Sequence, residues 1–189
     1  MLWSGPERHG CISELRLLTN SNDQRGTGRH EFVDIFIPGS SQCPLLELKN
    51  ASLNELWRGQ NGKEFASDTE SDPEKLRNSL REESVDALLK RGVAYSQRKG
   101  TDWEWVETTI NDLKQEASDQ VGCYINTVQK TQANRADEGA CDPRVLCDPG
   151  TCEVIGYVAI CVGGTRVLAW KVMAGNAKCE FTRVSNCKM

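Results

Sequence analysis

The sequence predicts an α/β (α+β) domain built on a mixed central β-sheet and flanked by helices. Three observations carry that prediction. Phe32 to Lys49 has the pattern of an apolar hairpin, Pro73 to Val128 has helical periodicity, and a second hairpin pattern is centred on Gly163-Gly164. With 189 residues the chain suits a single domain over 1–189, its core at about 11–172, and is short for two.

The elements follow in order. The first ten residues, with two Gly and one Pro, read as an entry segment. Cys11 to Thr19 is ambiguous: Ile12, Leu15 and Leu18 suit one face of a helix, and the short apolar run also suits a strand. Asn20 to Gly28 is rich in turn residues. Phe32 to Pro38 reads as a strand, and so does Pro44 to Lys49, with Gly39-Ser40-Ser41-Gln42 as the loop between them. Residues 58–72 are polar and read as a mobile loop. Asp72-Pro73-Glu74 then opens a helix with a capping acid, a first-turn Pro and a second acid. That helix carries Leu76, Leu80, Leu88 and Leu89 and is expected to run to about Gly92. A longer helix is expected from Trp103, because Trp103, Val106, Ile110, Leu113, Ala117, Val121, Tyr124 and Val128 recur at steps of three and four. Trp103 and Trp105 read as core and rim residues at its start. Asn134 to Thr151 reads as a loop, and Glu153–Val162 and Thr165–Val172 flank the Gly-Gly turn.

Composition narrows the class. Hydrophobic residues make up 38% and charged residues 26%, a soluble globular balance. No run approaches the roughly 18 apolar residues of a membrane helix, and the first residues lack the layout of a secretory leader. The chain is therefore expected inside the cell, in nucleus or cytoplasm, with no membrane contact. Nine cysteines, an odd number at scattered spacing, read as reduced thiols, several of them core residues. Cys141, Cys147 and Cys152 are too widely spaced for a typical zinc site and have no His nearby. Net charge is −4, which counts mildly against tight autonomous DNA binding but leaves room for a carboxylate site that binds cations.

The chemistry sits on the first hairpin. Side chains alternate along a strand, so Glu47 and Lys49 share one face while Leu46 and Leu48 share the other. If the loop is Gly39 to Gln42, Pro38 faces Cys43 and Asp34 stands directly across from Glu47. Cross-strand neighbours have Cβ atoms about 5 Å apart. Two such carboxylates repel one another unless a cation lies between them, and oxygen ligands of this kind select Mg²⁺ or Mn²⁺. A metal so held can polarise a phosphoryl oxygen, with Lys49 placed to hold or deprotonate a water or to stabilise developing charge. The plainer alternative is a surface Glu-Lys pair with an unrelated Asp across the hairpin.

Asp34 followed by Glu47-Leu48-Lys49 resembles the D…(D/E)XK motif of the PD-(D/E)XK nuclease superfamily. The run Asn22 to Asp34, with Arg25, Gly26, Gly28 and Arg29, is similar to the lead-in of one branch, the nuclease-like domain often joined to an AAA-ATPase-like module. Pro38 and the Lys49-Asn50 pair continue the match. Gln120 and Tyr124 resemble the QxxxY motif of RecB-like members; four residues apart on a helix, they share a face. The alternative for that pair is a core Tyr124 beside a solvated Gln120. The strand Tyr157–Cys161 is similar to the one that follows the QxxxY helix. The resemblance covers about residues 20 to 172.

It implies the restriction-endonuclease-like fold and a divalent-metal-dependent nuclease acting on DNA before RNA. Asp34, Glu47 and the main-chain carbonyl of Leu48 would be metal ligands; Asp34, Glu47, Lys49, Gln120 and Tyr124 would form the catalytic set. The implied cofactor is Mg²⁺ or Mn²⁺, and the implied partners are nucleic acid and an ATPase or larger parent protein. Three departures stand out. A few residues are inserted between Arg29 and Asp34. The first helix of the superfamily core, which often supplies another acid, has room only if Pro6 to Leu18 forms it, with Glu7 or Glu14 as that acid. No Walker A loop occurs, so the chain is expected to be a fragment or a stand-alone relative. The rival class is a catalytically silent nuclease fold kept as an interaction or effector module.

Overall fold

The computed structural model describes residues 11–18, 30–39, 41–56, 72–129, 139–140, 153–172 and 179–186. The turn-rich lead-in before His30, Glu7, the stretch 58–71 and the cysteines 141, 147 and 152 lie outside them. The fold is mixed α and β. A seven-stranded sheet has the order β6-β1-β2-β3-β7-β8-β9, formed by β1 (Ile12–Leu18), β2 (His30–Phe36), β3 (Gln42–Ala51), β6 (Gly139–Ala140), β7 (Glu153–Val162), β8 (Arg166–Val172) and β9 (Cys179–Asn186). A separate two-stranded ribbon joins β4 (Gly92–Lys99) to β5 (Asp102–Thr109). The helices are α1 (Pro73–Glu82), α2 (Val85–Leu89) and α3 (Ile110–Val128). None of the described helices is long and apolar enough to cross a membrane.

β1, β2 and β3 pair antiparallel. β3 then meets β7, where Glu153 N–H bonds the Ser41 carbonyl (3.0 Å) and Gly163 N–H the Ala51 carbonyl (2.8 Å). Both contacts advance together along the two strands, so β3 and β7 run parallel and the sheet is mixed. At the end of β7, Gly163 and Gly164 adopt φ +58° and +67°. Two consecutive left-handed residues are what a tight hairpin turn requires.

The chain forms two compact units, each visited three times: Met1–Glu47, Asp119–Tyr157 and Lys171–Lys178, then Leu48–Ser118, Val158–Trp170 and Cys179–Met189. In the first unit, Leu15, Leu17, Val33, Phe36, Leu45, Val121, Tyr124 and Ile125 are buried. α3 seats on β7 at Gly156, where an added Cβ would lie 2.3 Å from Val121 Cγ1 and 2.8 Å from Ile125 Cδ1. Only a hydrogen side chain permits that approach.

In the second unit, Asp72 caps α1 by accepting from Glu74 N–H. Ser84 caps α2 through Ala87 N–H. Ser52 and Glu55 form a reciprocal capping box on the turn at 53–56, at 2.7 and 3.3 Å. Arg166, 6% exposed, donates Nη1 to the carbonyls of Leu80 (3.0 Å) and Glu83. It thereby satisfies acceptors that the end of α1 leaves open. Arg91 grips Glu83 with two donors and also reaches Ser79 Oγ (3.2 Å).

Several expectations need correction. Ile12–Leu18 is a strand, so the segment read as strand or opening helix is settled as β. The single helix expected from Pro73 to about Gly92 is two, broken at Glu83, whose extended backbone (φ −65°, ψ 145°) cannot continue a helix. The long helix begins at Ile110 rather than Trp103, and Asp102–Thr109 is strand β5. Trp103 and Trp105 are accordingly exposed, not core and rim of a helix. Cys43 is disulfide-bonded, so the reading of the cysteines as reduced thiols does not hold there; Cys11, Cys123 and Cys161 are free.

Candidate metal and catalytic site

Asp34 and Glu47 are placed by the β2–β3 register. Ile35 pairs with Leu46 and Phe36 with Leu45, and Ile37 N–H bonds the Pro44 carbonyl at 2.8 Å. Asp34 and Glu47 are the next residues beyond the last of these pairs, one on each strand. Paired residues in an antiparallel ladder project to the same side, so a ladder continued by one residue would set both carboxylates on one face. Along β3 the buried positions Cys43, Leu45 and Glu47 alternate on one face, and Phe36 opposite Leu45 is fully buried; on β2, Val33 beside Asp34 is fully buried as well. Glu47 is only 4% exposed, whereas Asp34 is half-buried. The Oε2 oxygen of Glu47 is enclosed and accepts no hydrogen bond from the described residues, while the residue makes other interactions.

Burying a carboxylate costs several kcal/mol unless charge or hydrogen bonds compensate it. Placing a second one at a Cβ spacing of about 5 Å adds repulsion. An apolar strand would avoid both costs, so a Glu in the series Cys43, Leu45, Glu47 is an exception to the pattern that folds the hairpin. Lys49 stands two residues further along β3 and so on the same side of the strand; it is half-buried. The Leu48 side chain points to the other side and is exposed.

The QxxxY pair meets as a pair. Gln120 Nε2 donates to the Tyr124 hydroxyl. Tyr124 is fully buried and Gln120 half-buried. Both belong to the turn of α3 that carries Val121 and Ile125 onto Gly156. A buried tyrosine hydroxyl requires a polar partner, and Gln120 supplies it from one turn earlier. Tyr124 is thus a core residue, and Gln120 is its hydrogen-bond partner rather than a solvated neighbour.

Glu14 lies in line with the pair. The β1–β2 register, Ser13 with Ile35 and Leu15 with Val33, puts Glu14 opposite Asp34. It has φ +53°, a left-handed conformation rare for a side-chain-bearing residue, and it is exposed. Among the described residues no group of three His, Cys, Asp or Glu side chains stands close enough to hold a metal. Two carboxylates suit Mg²⁺ or Mn²⁺, which commonly takes one or two from the protein and completes its shell with water and substrate phosphate.

Sequence reasoning did not find the charged cluster of Glu83, Arg91 and Arg166 around the end of α1. Glu83 has its pKa lowered, first by its hydrogen bond from Arg91 and, against an opposing effect of burial, by Ser79 and the charges of Arg91 and Arg166. Asp112, the capping acid of α3, is also lowered, through hydrogen bonds from the Thr109 side chain and backbone. Ser84 before an apolar run was a readable cap signal; Arg91 and Arg166 left none, because their partners lie far away in sequence. Comparison with protein-family models, with curated proteins and with solved structures returns no match for this chain.

Proposed function

We propose that this chain is a divalent-metal-dependent nuclease of the PD-(D/E)XK type, hydrolysing phosphodiester bonds of DNA before RNA inside the cell. The single observation that supports the reading is a hairpin whose ladder pairs end at Ile35 with Leu46, one residue short of Asp34 and of the buried Glu47. Two carboxylates brought together carry a formal charge of −2, which a divalent cation offsets.

Asp34 and Glu47 would hold Mg²⁺ or Mn²⁺, with the Leu48 carbonyl as a third ligand. When bound, the ion supplies Lewis-acid polarisation of the phosphoryl group and lowers the pKa of water. Lys49 positions the attacking water, takes its proton, or donates to the phosphoryl oxygens as charge develops. Gln120, tied to Tyr124, supports the buried face and offers its amide to the nucleic-acid backbone. Nucleic acid is the expected partner, with an ATPase or larger parent protein as a further one.

Incubation with plasmid, linear and single-stranded DNA in Mn²⁺ or Mg²⁺, against an EDTA control, tests the proposal. Cleavage that needs metal and disappears in Asp34→Ala and Glu47→Ala is the expected result. Ala variants that cut at the parent rate would overturn it. The net charge of −4 favours a second reading, a nuclease fold retained as an interaction module, for which neither metal binding nor cleavage is expected.

A further inference from the structure

We infer that the β4–β5 ribbon is a stacking platform for single-stranded nucleic acid, with Trp103 and Trp105 as its aromatic surface and Arg98 as its phosphate contact. The inference deepens the nuclease reading by naming an unpaired strand as the substrate form, and its substrate role rests on that reading. The binding itself is measured without metal.

The ribbon pairs from Gly92↔Thr109 to Lys99↔Asp102 and closes through Gly100 at φ +66° and Thr101. In that register Arg98 faces Trp103 and Ser96 faces Trp105. The four residues therefore share one face, and Asp102 and Glu104 project from the other. Trp103 is 70% exposed and Trp105 57%. Both are large aromatic rings exposed to water two residues apart, on an element whose buried residues (Val93, Ala94) lie at its base. Arg98 is exposed, and its Nε donates to the Gly100 carbonyl at 3.1 Å, which ties the guanidinium to the turn beside Trp103.

Spacing and charge select the occupant. Alternate residues of a strand are roughly 6.6–6.8 Å apart, about twice the 3.4 Å rise between stacked bases. One base fits between the two indoles, or one base on each. Stacking on aromatic rings beside a cationic group is the usual mode of single-strand binding. The acid nearest on this face, Glu107, stands opposite Ala94 at the base of the ribbon, leaving the outer half to Arg98. A protein partner fits less well. Eight residues of a two-stranded ribbon present a face of roughly 26 by 10 Å, well under the roughly 800 Å² per partner of a stable interface.

The test is fluorescence anisotropy of a labelled thymidine 20-mer with the full chain in EDTA, with quenching of tryptophan emission as a second readout. Trp103→Ala and Trp105→Ala should each weaken binding about tenfold, the cost of losing one base–aromatic stack. Trp103→Phe should retain most of the affinity, and Arg98→Ala should reduce the salt dependence. A duplex of equal length should bind more weakly and ignore the Trp substitutions. Because both rings are exposed, the variants should keep the parent's far-UV spectrum. Parent-like affinity in both Ala variants would overturn the inference. So would a change in oligomeric state by light scattering with oligonucleotide affinity unchanged, which would mark the face as self-associating. Failure of the nuclease reading shows differently: the 20-mer binds in EDTA with its dependence on tryptophan, and no DNA is cut when Mn²⁺ is added.

Discussion

Gly156→Ala probes the seat of α3, the helix that carries Gln120 and Tyr124. The new methyl carbon would lie 2.3 Å from Val121 Cγ1 and 2.8 Å from Ile125 Cδ1. Ordinary contact begins at about 3.4 Å, so helix and strand must separate by about 1 Å along that line. Val121 is β-branched and stiff in a helix, which leaves little relief by side-chain rotation. Overpacking of this kind typically costs about 1–3 kcal/mol, equivalent to a fall in Tm of roughly 2–12 °C in a chain of this size. Because the same turn holds Gln120 and Tyr124, a displacement near 1 Å should also lower turnover by as much as about 10²-fold. Urea denaturation and Mn²⁺-dependent cleavage measured on the same preparation test both parts. Parent-like stability in Gly156→Ala would refute the packing argument, since it would mean that α3 does not press on β7 at this point.

Further predictions concern the pairs described above. Tyr124→Ala should cost about 3–5 kcal/mol, as for other large buried rings. Tyr124→Phe keeps the ring and loses only the hydrogen bond to Gln120, about 1 kcal/mol, so urea midpoints should separate the two clearly. Glu83 has a lowered pKa in the folded state. Its contribution is therefore fully present above the unfolded value near 4.5 and is lost as pH falls below that through the folded value. The stability gap between the parent and Glu83→Gln should be widest at neutral pH and shrink under acid, and a gap independent of pH would contradict the assignment. Arg166→Met should destabilise by about 2–4 kcal/mol, because it strips two buried carbonyls at the end of α1 of a charged donor; guanidinium unfolding measures it.

The parts of the fold that the sequence made legible are those with a buried face. β3 alternates because one side packs on the core, and a short loop beginning at Gly39 joins it to β2, so the hairpin itself could be read from residue types alone. Gly163-Gly164 did the same for β7 and β8. β5 was misread for the opposite reason. Almost every residue from Asp102 to Glu107 is exposed, no core face imposes a period of two, and Trp103, Val106 and Ile110 fall by chance on helical steps. Its aromatic and β-branched content, Trp103, Trp105, Val106, Thr108 and Thr109, was the remaining strand signal. The break after α1 was hidden because Leu76, Leu80 and Leu88 keep a four-residue spacing through it, although Ser84 carries its own cap signal. At the site, the positions of Asp34 and Glu47 on adjacent strands were legible. The burial of Glu47 was not, because it depends on what packs on that face of the sheet, and no local pattern states that.

The central claim is that Asp34 and Glu47 jointly hold one divalent cation, and calorimetric titration of the purified chain with Mn²⁺ tests it most directly. The account predicts one site per chain in the parent and none in Asp34→Ala or Glu47→Ala, with all three proteins equally folded by far-UV circular dichroism. A parent that takes up no Mn²⁺, or variants that bind it as the parent does, would contradict the account.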